Sequence, residues 1–327
     1  MIKIKAFLFI LILLSASVAG GSPGSSGVLE SLDHRDKLYD IVQQGKSLWI
    51  VGYPGRLLRS PDEGQTWSLV EIESKEALMA IDFADDKNGV IVGRSGTILR
   101  TTDGGQKWTL VKTEIKEPLF DLDMVNASVG FAVGHFNTIL STSDGGATWK
   151  NQFYELPEDA EDEPGLHAVS FVDPQNGWIA GEFGTILHTS DGGTTWQSQQ
   201  SGTSLSLYDV HFKDALNGRA VGAGGTVLGT VDGGVTWTMT GDVDPEHPHL
   251  FAFHESPDGH LRAVGQEGMF LEQAPLQKSL KKSPMKIYTW LDSVTFLNSK
   301  TGFAIGGRGH IMTTADGGRT WKRLSGQ

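Results

Sequence analysis

The stretch TSDGGTTW, Thr189–Trp196, offers hydroxyls, a carboxylate and two glycines, and it closes on the largest apolar side chain. Those groups suit a ligand loop. Related octets, however, end at Trp67, Trp108, Trp149, Trp237 and Trp321, so six copies stand in one chain. A catalytic loop is rarely needed six times. An Asp that opens a tight hairpin accepts hydrogen bonds from backbone N–H groups of its own turn, and the glycines take the unusual φ. The Trp then lands in the following strand, where it wedges between sheets. Asp62, Asp103, Asp144, Asp191, Asp232 and Asp316 are therefore read as structural, and no catalytic residue is assigned.

Three other groupings carry reactive side chains. His247, His249, His254 and His260 lie within PEHPHLFAFHESPDGH. A His-x-His begins many metal sites, but no spaced carboxylate or cysteine completes a set here. They are read as loop histidines, and neither a metal nor a cofactor is expected. Asp40, Asp121 and Asp209 share one position in LYD, LFD and LYD, where other repeats place Ala80, Ala168, Ala252 and Ser293. Small or hydrogen-bonded residues are expected where strands converge. YELPEDAEDEPG, Tyr154–Gly165, holds six acids and reads as a solvated charge run.

The octets belong to a longer repeat. Upstream of each stands VGYPGRLL, VGRSGTIL, VGHFNTIL, AGEFGTIL, VGAGGTVL or IGGRGHIM, and a seventh copy, VGQEGMFL, lacks an intact octet. The leading glycines, Gly52, Gly93, Gly134, Gly181, Gly222, Gly265 and Gly306, are 41 residues apart in four of six intervals, with one of 47 and one of 43. In the copy after Gly265, Pro275 and Leu280 replace the octet Asp and Trp. A period of this length marks stacked supersecondary units such as propeller blades. Repeat four reads as four short runs, LHAVSF, NGWIAG, GTILHTS and DGGTTWQ, each bounded by turn residues. The turn after the second run carries a glycine, or Asn137, where positive φ is expected. The fold expected is all-β: a seven-bladed β-propeller of four-stranded antiparallel blades with Asp-box turns, over residues 35–327. Its sixth blade, about 245–285, is degenerate.

Residues 1–19 read as a secretory signal peptide, with Lys3 and Lys5, an apolar run from Ala6 to Leu14 and SVA before the expected cleavage at Ala19. Residues 20–34, including GSPGSSG, read as a flexible spacer. The chain has no cysteine, which excludes disulfides, thiol chemistry and a lipidated cysteine. An exported, cysteine-free chain suits the periplasm. The net charge of −12 makes nucleic acid an unsuitable partner.

The octet resembles the Asp-box of bacterial neuraminidase repeats. Paired with NGW(I/V)(A/V)G and VGxxGTILxTxDGGxTW, the chain resembles the photosystem II stability and assembly factors and their relatives in non-photosynthetic bacteria. The resemblance covers Leu38 to Trp321. It implies an exported, non-enzymatic propeller that holds a protein, a membrane subunit or envelope complex, during assembly, in the periplasm or in a thylakoid lumen. A monomer is expected, and peripheral membrane association is compatible with the role. The family's photosynthetic members carry a basic patch, whereas the ten arginines here are scattered, which points to a relative serving some other envelope assembly.

In a propeller, the loops joining second to third strands share a face with the connectors between blades. That face would gather Tyr53, Arg94, His135, Phe136, Glu182, Phe183, Glu267 and Arg308, the candidate partner-binding residues. The six-residue insertion at Tyr154–Gly165 belongs there too. Glycan binding is the alternative, favoured if Tyr53, Phe136 and Phe183 are exposed and coplanar. A glycoside hydrolase or sialidase would need a carboxylate pair; Glu182 and Glu267 are the candidates, but the strand motif that opens sialidase domains is missing.

Overall fold

The structure, a computed structural model, describes residues 26–156, 162–241, 249–257, 259–274, 280–283, 285 and 287–324. Seven four-stranded antiparallel sheets follow one another, each built from strands consecutive in the chain. This is the seven-bladed propeller that the repeats predict. The first strands, Lys37–Gln44, Leu78–Phe83, Leu119–Asp123, Leu166–Phe171, Leu207–Phe212, Leu250–Glu255 and Leu291–Phe296, each touch the first strands of both neighbouring blades around the axis. Blade six is complete despite its altered octet, its fourth strand being Lys281–Ser283.

Second strands such as Gly89–Gly93 and Gly302–Gly306 are buried at every residue, because a blade is covered on both faces. Across most gaps three side chains stack. One comes from the second strand of the preceding blade, one from the end of the next blade's first strand, and the third is the next blade's octet Trp. Trp49, Phe83 and Trp108 make one such set, and Phe131, Phe171 and Trp196 another. In a third, Trp178 lies 3.6 Å from Phe212, which meets Trp237 edge-on. Such offset and edge-on ring pairs add to the burial energy of the rings. Between blades five and six, where Leu280 replaces the Trp, the set is polar: Arg219 bonds Glu255 at 2.8 Å and also reaches Gln273. Loss of the ring in blade six is thus matched by loss of its two partners.

The octet Asp carboxylates bond their own turns. Asp144 Oδ1 accepts from Thr148 N (2.8 Å) and Thr142 Oγ1 (2.9 Å), and Oδ2 accepts from Thr148 Oγ1 (2.6 Å). Asp191, Asp232 and Asp316 repeat the pattern, as does Asp62 with Ser60 in the hydroxyl role. Asp103 lacks the last bond, because Lys107 has no hydroxyl. Accepting these bonds favours the ionised form, so the Asp144 and Asp316 carboxyls are held down to about 2.

A second set of carboxylates clasps neighbouring blades. Asp40 accepts from Ile81 N, Asp121 from Val169 N and Asp209 from Phe253 N, at 2.8 to 3.1 Å. Asp82 and Asp123 do the same one step further along, toward Met124 N and Phe171 N. Ser170 and Ser293 fill the role with hydroxyls. The Asp carriers thus act in bridging first strands, and burial pushes their carboxyls up, to about 6 at Asp82 and about 7 at Asp123 and Asp209.

The N-terminal boundary needs correction. The leader 1–19 and the first part of the expected spacer lie outside the described residues. From Ser26 onward, however, the chain forms a short helix, Ser26–Glu30, followed by a strap over the seam between blades one and seven. Leu32 is buried against that seam beside Val28 and Leu29. Asp36 then pairs with Arg56 at 2.6 Å, and its carbonyl accepts from Gly309 N. Isolated apolar residues in a Gly- and Ser-rich run gave too weak a periodicity to announce this.

Candidate functional site

Each turn after a second strand leans on the connector that enters its own blade. Arg94 N donates to Ala77 O (2.9 Å), His135 N to Pro118 O (3.0 Å), Glu182 N to Gly165 O (2.9 Å) and Gln266 N to His249 O (2.9 Å). Approach is so close that a Cβ on Gly93 would lie 2.1 Å from Ala77 O, which explains the leading glycine of the repeat. Turns and connectors therefore share one face.

That face receives all eight predicted residues, one or two from each of six blades and none from blade five, whose turn is Ala223–Gly225. Tyr53, Phe136 and Phe183 are exposed, at 42%, 59% and 61%, as are Arg94, Glu267 and Arg308. Phe136, Phe183, Glu267 and Arg308 have φ between +51° and +59°, a region that costs a non-glycine residue energy. Among them the rings of His135 and Phe136 meet, 3.9 Å between centres. The Glu182 carboxylate accepts from Gly165 N at 2.8 Å and so fixes the end of the insertion. The described ends of the insertion lie on this face, with Tyr154 O and Pro164 O both held by Asn137. Its residues 157–161 lie outside the described part.

The sequence reading missed the inner ring of the face. In every blade, one residue of the first strand is skipped by the ladder, between Leu38 and Asp40 in blade one and at the equivalent step elsewhere. A bulge of this kind re-aims a side chain. The skipped residues are Tyr39, Met79, Phe120, His167, Tyr208, Phe251 and Asp292. Four of them form an arc across blades three to six. Ring centres are 5.6 Å apart for Phe120 and His167, 5.2 Å for His167 and Tyr208, and 5.4 Å for Tyr208 and Phe251. His135 and His249 extend the arc outward. The signal was available as the recurrent ring in the second place of LYD, LFD, LHA, LYD and LFA.

Burial keeps this inner ring nearly uncharged at neutral pH. It lowers the His167 imidazole, against a smaller opposing pull from Glu182, and raises the Tyr39 and Tyr208 hydroxyls. It also pushes Asp292 up to about 8, against a hydrogen bond from Trp290 and the pull of Lys37. Flat, neutral rings inside a rim of mixed charge suit stacking and shape recognition more than ion pairing.

Among the described residues, no three His, Cys, Asp or Glu side chains are grouped to hold a metal. His249 Nδ1 accepts from Gly224 N, and burial holds His254 down to about 4. No described helix is long and apolar enough to cross a membrane.

Fold and repeat together define a seven-bladed propeller with octet-bearing blades. Within that class the chain is similar to photosystem II assembly factors over part of its length: the family model for Photosynthesis system II assembly factor YCF48 matches residues 65–118 and 106–206. No curated protein matches in sequence. Among solved structures, YCF48 from Cyanidioschyzon merolae is 20% identical over 88% of this chain and 97% of its own, with a TM-score of 0.72. A YCF48 bound to D1 peptide is 17% identical over 87% and 93%, at 0.69. The WD40 β-propeller domain of Doa1 reaches 0.67 at 12% identity, over 88% of this chain and 95% of that one.

Proposed function

We propose that the chain is a non-catalytic scaffold that holds an extended protein segment across the aromatic mouth during assembly of a membrane or envelope complex. The arc from Phe120 to Phe251 carries this reading. It is a continuous run of stacking surfaces four blades long, fixed by bulges in the most constrained strands. That a similar propeller has been solved with a D1 peptide bound supports a polypeptide ligand. Against hydrolysis, Glu182 is already engaged with Gly165 N, and Glu267 stands at an exposed tip on another blade.

In this reading residues 1–19 direct export, and N-terminal sequencing of the mature protein gives a start near Gly20. The binding claim is tested by capturing partners from the native envelope fraction with a tagged protein and with its Phe120→Ala, Tyr208→Ala, Phe251→Ala variant. Recovery of a membrane subunit by the first and not by the second, at unchanged melting, supports the role. Equal recovery removes the mouth from it, and retention on a glycan array that depends on the three rings favours a lectin-like disc.

A further inference from the structure

Blade three departs from the other blades in three ways at once. It alone is followed by the acidic insertion, it alone replaces the turn glycine with Asn137, and its turn carries two consecutive non-glycine residues at positive φ, Phe136 (51°) and Asn137 (52°). The departures are linked. Asn137 N donates to Pro164 O at 2.8 Å and Asn137 Nδ2 donates to Tyr154 O at 3.1 Å, so one residue holds both ends of the insertion. Glycine would supply the φ but not the second bond.

The pinned segments enclose an open cleft of about 740 Å3 at the edge of the face. Its apolar surface comes from Ile115, Phe136, Phe153 and Leu156. Phe153 is 86% exposed and Phe136 59%, although both sit on ordered backbone beside a strand end or a bonded turn. Its charges are Glu114, Glu117, Glu155 and Glu163, and among the described residues no Lys or Arg lines it. Phe136 touches His135, which meets Phe120, so the cleft continues the aromatic arc outward.

We infer that this cleft is a docking subsite for a basic peptide segment carrying an apolar anchor, the anchor lying between Phe136 and Phe153 and its flanking Lys or Arg residues facing the four glutamates. The inference rests on the protein-holding reading above and names the chemistry of the partner. Complementary charge steers and orients such a segment, while the anchor supplies the burial.

The test is fluorescence anisotropy with three labelled decapeptides: alternating Lys and Phe, alternating Glu and Phe, and Lys alternating with Ser. The first is expected to bind, to weaken as salt rises, and to bind roughly tenfold less tightly to Phe136→Ala, Phe153→Ala and to Glu114→Gln, Glu117→Gln, Glu155→Gln, Glu163→Gln. Phe153→Ala alone, at an exposed position, guards against a folding defect in the double variant. Equal binding of the Lys–Ser peptide reveals unspecific charge attraction and overturns the proposal. So does tight binding of the Glu–Phe peptide, or binding of vesicles of anionic lipid in place of peptides. Loss of binding in the Phe120→Ala, Tyr208→Ala, Phe251→Ala variant with none in the cleft variants also overturns the subsite, and leaves the mouth as the binding surface.

Discussion

Replacing Asp144 by alanine separates a structural octet from a binding one. The substitution removes three hydrogen bonds, two to Oδ1 and one to Oδ2. Bonds to a charged acceptor contribute about 1.5 to 3 kcal/mol each when buried; at this solvent-facing turn, water replaces much of that, leaving about 1 to 2 kcal/mol in total. With an unfolding entropy near 2.1 cal/mol/K per residue over a domain of roughly 300 residues, the melting temperature drops by about 2 to 3 °C. Asp144→Asn keeps the Oδ1 acceptor and is milder. Asp103→Ala is milder too, because Lys107 offers no hydroxyl. Differential scanning fluorimetry of the three variants, with partner capture in parallel, reads both quantities. Unchanged melting with lost capture, or Asp103→Ala costing more than Asp144→Ala, would refute the structural role.

The buried carboxyls give a signed pH dependence. Asp123, Asp209 and Asp292 keep protons in the folded state up to about 7, 7 and 8, whereas the unfolded chain releases them near 3.8. Burial lowers His167, His188, His211, His254 and His310, which offsets the carboxyls until the unfolded chain has also lost its histidine protons, about one unit above 6.5; stability therefore declines as pH rises from about 7.5 to 9, and a flat or rising melting curve there contradicts this. Asp292→Asn should flatten the slope. Leu32→Ala, at the strap over the seam, should cost about 2 kcal/mol in urea unfolding, the low end for a buried leucine, and no loss would mean that the strap does not close the ring. Arg219→Ala strands Glu255 and Gln273 in the one gap without a Trp and should cost about 2 kcal/mol or more; a neutral result would show that the polar set does not replace the rings.

Much of the fold was legible because the repeat states it seven times. Leading glycine, octet Asp and Trp kept fixed spacing, and each proved to have a steric or hydrogen-bonding reason at that spacing. The NG that opens the second run has a reason that only the packing shows. Gly89 is needed because Phe83 of its own blade lies 2.6 Å from where a Cβ would be, and Asn88 bonds Asp85. The rim residues could be placed, since turn positions follow directly from strand order. The inner ring was visible as a recurrent ring in LYD, LFD, LHA, LYD and LFA but could not be aimed, because a bulge has no fixed sequence mark, and alternation alone sends Phe120, His167, Tyr208 and Phe251 into a blade face. The strap was hidden for a different reason: Leu32 and Asp36 act through contacts to blades one and seven, which no local pattern encodes.

The measurement that bears most directly on the central claim is photo-crosslinking in the native envelope, with benzoylphenylalanine placed at Phe183 on the aromatic face or at Val235 in an octet turn. Both positions are exposed, at 61% and 78%. The account predicts a discrete cross-link to a membrane-complex subunit from Phe183 and none from Val235. Equal cross-linking from both positions, or from Val235 alone, would contradict it.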